Sequence, residues 1–256
     1  MNSRPTLPLP DPLNCCCARV FDVYGVARKA FAELLGTLLL VATVVGSGIA
    51  AQRLSPRDVG LQLLENSLVT GAALVALILA LGPVSAAFNP VVTLVERALG
   101  ALTTAEATVF IGAQLIGACA GAVLANLMFG LSAVDVSGHH RNGGGVLLGE
   151  VVATFGLVLV VFGVARSRPG PHIAYAVGAY ITAAYWFTSS TSFANPAVTI
   201  GRTLSDTFAG IAPASVPLFV VMQLVGGAVA VGAVLLLYPD ARQVADDVVH
   251  LEDVAP

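Results

Sequence analysis

Two short segments hold the residues whose types and spacing could do chemistry: Asn89-Pro90-Val91 and Asn195-Pro196-Ala197. Asn is a preferred helix N-cap and Pro is favoured at the first helical position, so each triplet reads as a helix start. A helix start aims unpaired N–H groups and about half a positive charge along its axis. The Asn amide adds side-chain donors, and the unwound carbonyls of 84–88 and 190–194 supply acceptors. Two such starts facing one passage would repel cations, hydronium included, while hydrogen-bonding a neutral solute. The chemistry is passage, not bond making. A lone Asn-Pro is usually a loop turn; the weight rests on there being two.

The surrounding elements must place them. Six apolar stretches, roughly 30–51, 61–82, 105–130, 146–165, 171–190 and 213–238, are each near the ~20 residues that cross a bilayer core. The Asn-Pro segments, 83–99 and 188–204, have only about ten helix-compatible residues, half a crossing at about 1.5 Å per residue. The two halves match in order: Glu33 with Glu150, Asn89 with Asn195, Gln114 with Gln223, at offsets of 117, 106 and 109. Each half has three crossings, an odd number, so the second copy enters from the opposite side. Inverted repeats bring the two helix starts together near the midplane, and non-helical backbone at that depth must be buried in protein or line a wet cavity. The expected fold is an all-α membrane protein of six transmembrane helices and two re-entrant half-helices. Repeat one spans 30–130 and repeat two 146–238, between an N-terminal tail 1–29 and a C-terminal tail 239–256.

Composition agrees. The chain has 256 residues, 57% hydrophobic and 11% charged, with mean hydropathy +0.87; a soluble domain is about 25% charged. A net charge of −3 excludes a basic nucleic-acid face. Cys15, Cys16, Cys17 and Cys119 fit neither a disulfide framework nor a metal spacing. The triplet reads as part of a flexible tail, with soft-metalloid binding or lipidation as alternatives. No cofactor, metal site or nucleophile–base set is expected, so the chain is not read as an enzyme. With both termini cytoplasmic, eight Arg and Lys lie inside and four outside, the favoured bias. Gly117 and Gly121 flank Cys119 with helix-contact spacing, and Gly226 and Gly227 answer them in the sixth stretch. Trp186 and Tyr238 read as interfacial anchors, with Trp186 alternatively beside the pore. His139 and His140 read as a solvated outer loop. Away from the span ends, Glu33 and Glu150 are the carboxylates expected in the membrane, which argues against a coupled secondary transporter; a non-conducting member of the same fold is the other rival.

FNPVVTL and FANPAVTI, with Glu33 and Glu150, resemble the signature boxes of the aquaporin/glycerol-facilitator (major intrinsic protein) family over residues 30–238, Val91 replacing the usual Ala. The resemblance implies that Glu33 and Glu150 anchor the re-entrant loops and that the protein is a homotetramer with one pore per subunit, in the cell membrane, passing small neutral solutes. The family's outer constriction maps to Thr70, Tyr185 (or Ala183), Ser192 and Val198, where Val198 stands in place of the usual Arg. That set carries no charge and implies a wider, less water-selective constriction. It is similar to a bacterial subgroup associated with arsenic resistance, which suggests neutral metalloid hydroxides or methylated arsenicals beside glycerol. Arg202, four residues beyond Val198, either lines the outer vestibule or snorkels to the interface.

Overall fold

The computed structural model describes residues 12–167 and 170–239, with side chains from residue 24 onward. Eight helices follow in order: α1 (Pro12–Leu54), α2 (Val59–Leu81), α3 (Pro90–Leu99), α4 (Thr104–Met128), α5 (Gly144–Ser167), α6 (His172–Phe187), α7 (Pro196–Gly201) and α8 (Val216–Leu237). A 3-10 turn, Arg202–Leu204, continues α7. Among the described residues, five segments are long and apolar enough to cross a membrane: Tyr24–Leu54, α2, α4, α5 and Pro213–Leu237. The sixth, α6, has 16 residues, about 24 Å of helix. Pro171 caps its start and the chain leaves helical geometry at Thr188, so the expected stretch 171–190 is trimmed at its polar end.

The expected boundary at residue 30 is not an element boundary, because α1 already begins at Pro12. The polar residues before Lys29 end the apolar stretch without breaking the helix. Cys15, Cys16 and Cys17 lie outside the residues whose side chains are described, as does nearly all of the segment 239–256.

Close helix approach fixes the architecture. Gly117 and Gly121 of α4 sit against the Leu34 and Leu38 carbonyls of α1, and Gly226 of α8 sits against the Val151 carbonyl of α5. Gly71 of α2 and Gly178 of α6 face each other's carbonyls. A Cβ at any of these positions would run into the partner's main chain, so small residues set the spacing, as expected of packing without a hydrophobic driving force. First and third helices pair within each repeat, and the two second helices pair across the repeat boundary. Outward faces carry exposed apolar side chains such as Leu68, Ile116, Val225 and Val229, the pattern of a protein whose solvent is lipid.

Candidate functional site

Each half-helix is hung from a buried carboxylate on the first helix of its repeat. Glu33 Oε1 accepts from the Ser85 hydroxyl (2.5 Å) and the Ala87 N–H (2.8 Å). Its Oε2 accepts from the Phe88 N–H and from Gln114 Nε2, both at 2.7 Å. Glu150 repeats the pattern, accepting from the N–H groups of Phe193 (2.9 Å) and Ala194 (3.0 Å) and from Gln223 Nε2 (2.5 Å). Gln114 and Gln223 also donate to Thr93 and Thr199 on the half-helices, each at 2.9 Å. Both carboxylates are fully buried and occupied by donors, so their free energy goes into holding loops. The held backbone is strained: Phe88 and Ala194, each directly before its Asn, have φ of 49° and 47°, a region that costs non-glycine residues energy and persists only where surroundings impose it. Gly36 opposite Phe88 leaves the room its ring needs.

That bend turns the Asn tips toward each other. Asn89 Nδ2 donates to the Ala194 carbonyl and Asn195 Nδ2 to the Phe88 carbonyl, both at 2.7 Å. Each Oδ1 caps its own helix, Asn89 on Val91 N–H (2.9 Å) and Asn195 on Ala197 and Val198 N–H (3.0 and 3.2 Å). An amide nitrogen carries two hydrogens, so one per Asn locks the tips and one is left for a solute. Val91 fits because the facing residue in α8 is Gly227, where a Cβ would meet Val91 Cγ1 at 2.5 Å.

One continuous cavity passes both tips. Leu40, Val44, Leu74, Leu157, Val161 and Ile181, from four helices, supply apolar lining; the loop 85–88 with Asn89 and Asn195 forms a polar strip. Thr70, Tyr185, Ser192 and Val198 all line it. Thr70 Oγ1 lies 3.3 Å from Tyr185 Oη, and the buried Ser192 hydroxyl has no hydrogen-bond partner among the described residues. Ala183, the alternative to Tyr185, is exposed on the far side of α6. Trp186 is also outside the cavity lining, exposed and donating to the Ser67 hydroxyl at 3.1 Å.

Arg202 takes one of its two open alternatives, and Glu96 corrects the sequence reading. Arg202 does not snorkel: it is buried, lines the cavity, donates through Nε to the Ala209 carbonyl and lies with its guanidinium 3.5 Å from the Phe193 ring centroid. It stands four residues beyond Val198 in the same lining, so the cavity wall around Val198 is not uncharged. Glu96, seven residues beyond Asn89, is buried and lines the cavity. The expectation that Glu33 and Glu150 are the only intramembrane carboxylates therefore fails. Its signal was present in VERAL, one carboxylate on an otherwise apolar half-helix, and equal spacing with Arg202 would have drawn attention to it.

His139 and His140, read as a solvated outer loop, are exposed, and the connection between α4 and α5 that carries them closes over the Arg202 end. Asp135 and Ser137 donate main-chain bonds to Leu204 and Thr203. Arg141 donates to the Gly210 (2.9 Å) and Phe208 (3.2 Å) carbonyls and lies 5.0 Å from the Phe193 centroid, on the same ring that Arg202 covers. Partial burial, then the charges of Arg141 and Arg202, hold the His139 imidazole below its usual range against a pull upward from Asp206.

Comparison with known proteins adds independent findings. The family model described as Major intrinsic protein matches residues 21–170. The chain is 46% identical over 223 residues to the aquaglyceroporin AqpS of Rhizobium meliloti, covering 86% of this chain and 94% of that one. It is 32% identical over 234 residues to the probable aquaporin AqpM of Archaeoglobus fulgidus, covering 80% and 94%. The solved structure of the aquaglyceroporin from Plasmodium falciparum superimposes with TM-score 0.66 over 84% of this chain and 98% of that one at 20% identity, a likeness of fold.

Proposed function

The chain belongs to the major intrinsic protein family, and on that premise we propose that it is a passive membrane channel for small uncharged polar solutes, glycerol-like polyols and water first among them. It is a channel and not an enzyme. The observation that carries the reading is the single cavity running past both Asn tips. Half-positive helix ends from two directions raise the energy of any cation there, while the free amide hydrogens and the 85–88 carbonyls replace a neutral solute's water.

In this reading Thr70, Tyr185, Ser192 and Val198 form the outer constriction, with Arg202 as its charged member, and Glu33 and Glu150 serve as anchors. Val198 leaves the wall beside the Asn195 tip apolar, and Arg202 restores a guanidinium one turn further out. An apolar patch beside a donor suits solutes with both faces, including glycerol, neutral trivalent metalloid hydroxides and methylated arsenicals. The chain forms a homotetramer in the cell membrane with both termini cytoplasmic, a reading supported by family resemblance and by the Arg and Lys bias.

The test is a stopped-flow panel of water, glycerol, urea and neutral trivalent arsenicals on proteoliposomes. Glycerol and arsenical uptake above empty vesicles supports the reading; inserted protein passing neither removes it. Val198→Arg narrows the panel toward water, and Arg202→Ala broadens it. Glu96 favours one rival, a proton-coupled transporter, which would show saturable flux driven by a pH gradient.

A further inference from the structure

Glu96 has no place in the anchoring or the tip chemistry, yet it is built into the pore. It sits on α3 seven residues past Asn89, about 10 Å along the helix toward the end opposite Arg202. Its side chain is 5% exposed and lines the cavity. Among the described residues no protein group hydrogen-bonds it; its charged neighbours are Glu33, filled by four donors, and Lys29 on α1. Ile78, Phe110 and Ile173 also line the cavity, and the Ser85 hydroxyl there is already given to Glu33. A carboxyl group that is buried, unpartnered and facing a passage is costly unless something in the passage hydrogen-bonds it.

The inverted repeat sharpens the point. Arg202 stands seven residues past Asn195, as Glu96 stands seven past Asn89. Both are buried and both line the same cavity, one a pure donor and one able to accept. Resting on the channel reading above, we propose that Glu96 is a second, inner specificity station that accepts hydrogen bonds from hydroxyl-rich solutes leaving the Asn tips. Its preferred solutes are small polyols, whose several O–H groups must shed water at once in a stretch walled largely by hydrocarbon. Water, with fewer groups to satisfy, depends on it less.

The experiment compares glycerol and water permeability in proteoliposomes of wild type, Glu96→Gln, Glu96→Leu and Glu96→Met. Losing this carboxyl acceptor lowers the glycerol-to-water ratio at least about fivefold in Glu96→Leu, the effect of one hydrogen bond. Glu96→Met, apolar but more adaptable, repeats the loss if Glu96→Leu does not fold. Glu96→Gln keeps a carbonyl acceptor and stays within about twofold of wild type. Apolar variants with the wild-type ratio overturn the assignment, as does a Glu96→Gln ratio as low as theirs. Wild-type vesicles closed to both solutes overturn the channel reading itself, and this inference with it.

Discussion

The half-helix beginning at Pro90 and the one beginning at Pro196 start alike and end unlike. At the start, four features have counterparts: a Glu holding the loop, a Gln bridging Glu to Thr, a left-handed residue before the Asn, and an Asn amide given to the other loop's carbonyl. At the end, α3 runs ten residues to a left-handed Gly100 and presents Glu96, while α7 stops after six and turns Arg202 inward. The difference teaches that symmetry persists where both copies do one job together, pinning two helix tips, and relaxes where each meets a different mouth of the pore.

The comparison breaks most readily at the anchors. Glu33→Ala and Glu150→Ala each orphan at least three buried donors and should cost about 3–5 kcal/mol. Folded yield and thermal unfolding in detergent would fall together for the two variants; a large loss in only one would deny the equivalence. Next come the tips. Asn89→Ala and Asn195→Ala each remove a cap and a cross-bond, about 2–3 kcal/mol. Because the two bonds share one geometry, the double variant should cost less than the sum, and strict additivity would show that the tips do not cooperate. Smallest is the asymmetric packing at Val91. Gly227→Ala should cost about 1–2 kcal/mol through overlap with Val91, and adding Val91→Ala should recover most of it. Absence of recovery would mean that Gly227 is needed for something else.

Much of this was legible in the chain. The Asn-Pro pair, the Glu and Gln partners and the glycine contacts are local signals repeated at matching offsets, and repetition separates them from chance. Tyr185 emerged with Ala183 as competitor because an alignment gap moves the register by two residues, and only helix rotation decides which side chain faces inward. Arg202 was offered by its spacing from Val198, with the interface as the alternative that only its burial decides. Arg141 was harder. Arg141 reaches the site through a connection whose fold is set by main-chain bonds to Thr203 and Leu204, contacts between segments far apart in sequence. Glu96 was overlooked because α3 was read for its start and not for its end.

Opposed helix starts should let a neutral polyol through while refusing a proton, and both can be followed in one vesicle. Proteoliposomes carrying an internal pH dye, under an imposed pH gradient, are mixed with glycerol while volume and pH are recorded together. Glycerol-driven swelling well above that of empty vesicles, with the gradient decaying no faster than in those controls, is the expected result. Swelling accompanied by rapid collapse of the gradient would contradict the charge barrier assigned to Asn89 and Asn195, and no swelling would contradict the pore.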